Sequence, residues 1–129
     1  IIQINKEFKY YKKKMFFLNP FQNKNKKINV INIKMDRLDN ILKESKLTEI
    51  DILKIDTEGY DFNVIKGLGD LIKNVKYIYF EHHFHDMLIK NYNLRNINNY
   101  LYKYNFVKVY KSKMKFRKTF EYIYFNKSN

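Results

Sequence analysis

Two groups of side chains in this sequence have the types and spacing for proton-transfer chemistry. The first is Asp56 with Glu58, inside the stretch Ile50-Asp51-Ile52-Leu53-Lys54-Ile55-Asp56-Thr57-Glu58-Gly59-Tyr60-Asp61. The second is Glu81, His82, His83 and His85. A carboxylate can orient a hydroxyl or take its proton, and an imidazole titrates near neutrality and suits a base. Successive side chains of a strand point to opposite faces, so Glu81 and His83 share one face and His82 takes the other. Adjacent histidines that point apart do not close a metal shell, so no metal site is expected. Each group also has a plain structural reading. Asp56 can cap the helix that follows and Glu58 can sit near that helix's positive end. Glu81 and the histidines can be a polar strand end that caps the next helix. A third group, Lys113, Lys115, Arg117 and Lys118, is either a contact for an anionic acceptor or an exposed, charged hairpin.

The elements that must position these groups follow from hydrophobic spacing and punctuation. Ile50, Ile52, Leu53 and Ile55 make residues 50–56 an apolar strand running into an acidic cluster, where Gly59 permits a close backbone turn. Ligands of open α/β sheets bind outside the carboxyl ends of the strands, which is where Asp56 and Glu58 fall. Before it, residues 28–34 read as a strand, and Asp36 can cap a helix with Leu38, Ile41 and Leu42 on one face. After it, Asp56 or Thr57 caps a second helix carrying Phe62, Ile65 and Leu68, ended by Gly67 and Gly69. Residues 70–75 form a short helical turn, and 76–82 form a strand ending in polar groups. A helical zone covers about 85–104, interrupted near Asn93, with Leu94, Ile97, Leu101 and Tyr104 at helical spacing. Residues 106–110 and 119–125 read as strands joined by a loop over 111–118. Strands alternating with helices argue for a mostly parallel sheet, and the final tight connection makes the last strand antiparallel. The Tyr and Phe positions of 77–80 and 120–125 are expected in the core.

Length and composition set the frame. The 129 residues suffice for one domain with a core. No cysteine is present, so disulfides and thiolate metal sites are excluded. No apolar run reaches the roughly 20 residues of a membrane-spanning helix. No secretory signal is visible, and a cytoplasmic location is expected. Ile1 stands where a start Met would, so the chain is expected to be a fragment or a processed piece. The net charge of +13 comes almost entirely from Lys, amid abundant Asn, whereas Arg is the better reader of phosphates and bases. Nucleic acid is therefore not the expected partner. Residues 1–27 are a poorly defined basic segment, 28–125 the organised domain and 126–129 a tail.

Three segments give the chain a resemblance to the FkbM-type S-adenosylmethionine-dependent methyltransferases. Leu38-Asp39-Asn40-Ile41-Leu42 is similar to that family's Leu-Asp-Asp block. Ile50 to Asp61, continued by Val64-Ile65-Lys66-Gly67, resembles its hallmark of strand, acid, glycine and helix, with Asp61 where the family often has Glu. Tyr77-Ile78-Tyr79-Phe80-Glu81 resembles the next strand. The resemblance implies an α/β fold: a partial Rossmann-like methyltransferase sheet made of strands 4, 5, 6 and 7 with flanking helices, from a parent order 3-2-1-4-5-7-6. It implies methyl transfer from S-adenosylmethionine to a hydroxyl of a sugar, glycan or secondary metabolite. Asp56, Glu58, Glu81 and His83 become the catalytic candidates, and Asp56 also a cofactor-binding one.

One departure is an absence. The three glycines are Gly59, Gly67 and Gly69, so no acid-x-Gly-x-x-x-Gly loop precedes the hallmark. The cofactor-binding half is expected to be missing, the edge of the 50–56 strand to be exposed, and cofactor binding by this chain alone to be poor. Two other readings stay open: a non-enzymatic basic module for RNA or an anionic surface, and an inactive remnant.

Overall fold

The computed structural model describes residues 3, 4, 7, 12, 33–85 and 87–129. In chain order the described elements are β1 (Gln3–Ile4), α1 (Leu38–Glu44), β2 (Ile50–Ile55), α2 (Asp61–Gly67), a 3-10 helix (Gly69–Asn74), β3 (Val75–His83), β4 (Leu88–Ile89), α3 (Leu94–Lys103), β5 (Phe106–Lys113) and β6 (Thr119–Asn126). The main sheet has four strands in the order β2-β3-β6-β5. β2 and β3 are parallel, joined through α2, while β6 is antiparallel to both β3 and β5. A mixed sheet with flanking helices is consistent with part of a Rossmann-like fold. β1 and β4 form a separate antiparallel pair.

The pleat divides the sheet into two unlike faces. Leu53 and Ile55 align with Ile78 and Phe80, which align with Tyr124 and Tyr122. These side chains meet Ile65 from α2, Leu68 just after it, Ile72, and Ile97 and Leu101 from α3 to make the core. Phe80 is sandwiched by Tyr122 and Tyr124 at ring distances of 5.6 and 5.7 Å. Each such residue, fully buried, contributes about 1.5–3 kcal/mol of apolar transfer. The opposite face carries Ile52, Tyr77, Tyr79, Glu81 and His83 with Thr119, Glu121, Ile123 and Phe125. It is far less covered, and Ile52 is 65% exposed. Among the described residues β2 has no neighbour on its outer side.

Several local expectations change. The helical zone over 85–104 shortens to α3, because Asn93 begins a helix rather than interrupting one. Its side chain accepts from Asn96 N–H at 3.2 Å, and Asn96's side chain accepts from Asn93 N–H at 2.9 Å, a reciprocal cap. Residues 85–93 instead form a connection containing β4, with His85, Met87 and Leu88 buried. Asp36 does not cap α1. Its carboxylate takes Asn40 Nδ2–H at 2.9 Å and the N–H of Arg37, the residue that occupies the cap position. Neither Asp56 nor Thr57 caps α2, whose cap position is Tyr60. β5 runs on to Lys113 past an irregularity between Lys108 and Tyr110, so the hairpin loop shrinks to 114–118. Of the strand expected over 28–34, only Ile33 and Lys34 are described, and both are exposed and outside any strand. Among the described residues no helix is long and apolar enough to cross a membrane.

Candidate functional site

At the carboxyl end of β2 the chain turns sharply through Thr57-Glu58-Gly59-Tyr60. Glu58 and Gly59 both have positive φ, 47° and 95°, and Tyr60 N–H closes the turn on Thr57 C=O at 3.2 Å. Two consecutive left-handed residues are the requirement of a mirror-image turn, and a glutamate in that region costs about 1–3 kcal/mol unless its surroundings enforce it. Two contacts enforce it here. Asp61, 2% exposed, accepts Thr57 N–H at 3.0 Å and Thr57 Oγ1–H at 2.8 Å, tying the two sides of the turn together. A Cβ on Gly59 would lie 3.2 Å from Leu88 Cβ, so β4 packs directly onto the turn.

The turn brings Glu58 to His83. Glu58 Oε2 is 3.4 Å from His83 Nε2, and His83 Nδ1 is 3.0 Å from Thr119 Oγ1. His83 is 6% exposed while the Glu58 side chain is 54% exposed. Burial holds the His83 pKa below the usual imidazole value, against the raising influence of Glu58, Asp61 and Asp56, with Lys90 adding to the lowering. Near pH 7 the ring is therefore neutral. Both of its nitrogens face protein partners, so His83 is placed to orient Glu58 rather than to meet an incoming proton itself.

The parallel register pairs Ile55 with Phe80, and one residue further on come Asp56 and Glu81. Glu81 also stands opposite Glu121 across the β3–β6 ladder. Burial, followed by Asp56, Glu121 and Glu58, raises its pKa above the ordinary carboxyl value, and Lys54 offsets part of this. Glu121 is itself engaged, accepting Tyr79 Oη–H at 2.5 Å. That bond, ahead of burial, pushes the Tyr79 hydroxyl up to about 12. A carboxyl raised by burial and by neighbouring carboxylates is a stronger base than an ordinary solvated one.

Of the other histidines, His85 packs on the His83 ring at 5.1 Å, while His82 points to the opposite face of the strand end. His82 is 3% exposed, edge-on to Phe84 at 4.8 Å, and pushed down to about 3 by burial and then by Lys90 and His83. His82, His83, His85, Lys90 and Tyr92 line a cavity of about 430 Å³. Lys90 donates to the His83 carbonyl. Among the described residues no group of three His, Asp or Glu is arranged to hold a metal ion. Lys113, Lys115, Arg117 and Lys118 are all exposed on the β5–β6 hairpin.

The structure thus brings together Asp56, Glu58, Glu81 and His83, the four candidates singled out in the sequence. It adds three residues that sequence reasoning missed. Thr119 reaches His83 from a strand that starts 36 residues later, a juxtaposition no local spacing encodes. Tyr92 Oη–H approaches Asp61 Oδ2 at 3.4 Å from the connection before α3. Asp61 was noted in the sequence only as the end of the hallmark, where the family often has Glu, and its bonds to Thr57 give it a structural role there. The family model described as the methyltransferase FkbM domain matches residues 7–108 of the chain. No curated protein matches the chain, and no solved structure does.

Proposed function

Since the chain belongs to the FkbM methyltransferase family, we propose that the carboxyl ends of β2 and β3 form the acceptor-activating wall of an S-adenosylmethionine-dependent O-methyltransferase. The observation that carries this reading is the partly buried Glu81 at the end of β3, one residue past the Ile55–Phe80 pair as Asp56 is on β2, with its carboxyl raised first by burial and then by Asp56, Glu121 and Glu58. A half-buried carboxylate with raised basicity is suited to take the proton of a hydroxyl, because general-base catalysis is most effective when the pKa approaches the working pH. In this reading Glu81 receives the proton. Asp56 and Glu58 hold the acceptor hydroxyl by accepting hydrogen bonds from it and from its neighbours. His83 keeps Glu58 in place from the buried side. Fixing the acceptor in this way supplies the orientation that group transfer needs. A hydroxyl of a sugar, glycan or secondary metabolite fits a site whose exposed groups are mainly hydrogen-bond acceptors.

The described residues do not fit a complete S-adenosylmethionine pocket. Gly59, the one glycine at a strand end, is closed off by Leu88, and the outer edge of β2 has no strand beside it among the described residues. Asp56, at the tip of that edge, is the residue placed to serve the cofactor side as well as the acceptor. The cofactor would supply the methyl group. The acidic tip gives no support to phosphate binding, which needs a concentration of positive charge. Methyl transfer from labelled S-adenosylmethionine by the intact protein tests the proposal. Glu81→Gln and the pair Asp56→Asn with Glu58→Gln should each abolish it.

A further inference from the structure

Asp61 is a buried carboxylate that the chemistry above does not use. It lies at the first position of α2, faces inward, and has all its visible partners on other segments. Oδ1 takes the N–H and the hydroxyl of Thr57, and Oδ2 faces Tyr92 Oη at 3.4 Å. Tyr92 in turn packs on Phe62 at 5.4 Å. The carboxylate therefore joins the end of β2, the start of α2 and the connection before α3. Between its two anchor points lie only Glu58, Gly59 and Tyr60, and two of these have positive φ.

From this geometry we infer that Asp61 is a positioning residue, acting through Thr57 to hold the strained turn that presents Glu58 to His83. The inference rests on the reading of Glu58 as an acceptor-binding carboxylate. Without the Thr57 clamp the turn loses one of the two contacts that enforce it, and a left-handed glutamate is freer to relax to an ordinary φ. Glu58 would then leave His83, and an exposed carboxylate free to rotate would no longer fix an acceptor. The geometry also explains why Asp61 is buried although it does not touch the exposed face of the site. Its partner is the backbone of the turn, and burial strengthens that hydrogen bond.

The His83 imidazole reports the turn. The charged and titratable groups that act on it are Glu58, Asp56 and Asp61 from β2 and the turn, Lys90 from the connection after β3, and His82 beside it on β3. His85 packs against its ring at 5.1 Å, and Thr119 holds its Nδ1 from β6. Glu58 gives the largest raising influence among them. The experiment is an NMR pH titration of His83 in the full chain. Thr57→Val removes the hydroxyl donor and changes no charge. The expected result is a His83 pKa below that of the unsubstituted chain, with Thr57→Ser restoring the original value. In a Glu58→Gln background, Thr57→Val should add no further shift. An unchanged His83 titration in Thr57→Val, or an equal shift with and without Glu58, would overturn the inference. If Thr57→Val does not fold, Asp61→Asn provides the same comparison. Its downward shift should be larger with Glu58 present than in Glu58→Gln. Equal shifts in the two backgrounds would mean that Asp61 acts by charge alone, contrary to a positioning role. Methyl transfer surviving Glu58→Gln would remove the functional reading while leaving these titrations as they are, so the two failures are distinguishable.

Discussion

Glu58 Oε2 stands 3.4 Å from His83 Nε2, although the two residues belong to different strands' ends and one is half exposed while the other is buried. The contact joins the two groups that the sequence marks separately, an acid after β2 and a histidine at the end of β3. It makes a carboxylate that faces solvent answerable to a ring fixed in the protein by Thr119. A site of this kind orients a ligand by its outer atoms and holds its geometry by its inner ones.

The buried histidines set the acid stability of the fold. His82 has its folded-state pKa near 3, below the 6.5 of an unfolded imidazole. The unfolded chain therefore binds the extra proton, and stability rises with pH across the window from about 3 to 6.5 and is lost as pH falls through it. The slope reaches at most about 1.4 kcal/mol per pH unit for one proton. Urea unfolding midpoints measured between pH 3 and 7 should fall with acidity, and His82→Phe should flatten the dependence. A slope unchanged in His82→Phe would assign the effect to other groups.

The outer edge of β2, beside which no strand lies among the described residues, should recruit other chains. Ile52 is 65% exposed on a strand with no outer neighbour among the described residues, and an uncovered strand edge is where further strands add. Sedimentation velocity at increasing protein concentration should show self-association. Ile52→Lys should suppress it, because a charge on an edge blocks pairing. Equal self-association in the two proteins would place the contact elsewhere.

Cofactor binding by this chain alone should be weak, since the described residues furnish one wall of a site. Titration calorimetry with S-adenosylmethionine should give no saturable heat at micromolar concentrations. A micromolar Kd, equivalent to about −8.2 kcal/mol, would show that the wall is a sufficient site.

Much of this was legible in the sequence, and the exceptions have physical reasons. The strands Ile50–Ile55, Val75–His83 and Thr119–Asn126 follow from alternation and apolar runs, because one face of these strands packs into the core. The glycines did mark the end of α2, with Gly69 at a φ of 54°. Asn93 was noticed as a break and is a start, because its reciprocal cap with Asn96 uses an amide where a glutamate is the usual signal. Asp36 looked like a cap and bonds a side chain instead. At the site, Asp56, Glu58, Glu81 and His83 could be proposed from their strand-end positions. The contacts that give them distinct roles could not. Thr119 and Tyr92 arrive from distant segments, and the inward turn of Asp61 depends on Thr57 folding back over four residues.

The most direct measurement of the central claim is the rate of methyl transfer to a hydroxyl acceptor by the intact protein and by its Glu81→Gln variant, with urea midpoints confirming that both are folded. Loss of a general base predicts a fall of about 100-fold or more at unchanged stability. A Glu81→Gln rate within a few-fold of the unsubstituted protein would contradict the assignment of acceptor activation to the ends of β2 and β3.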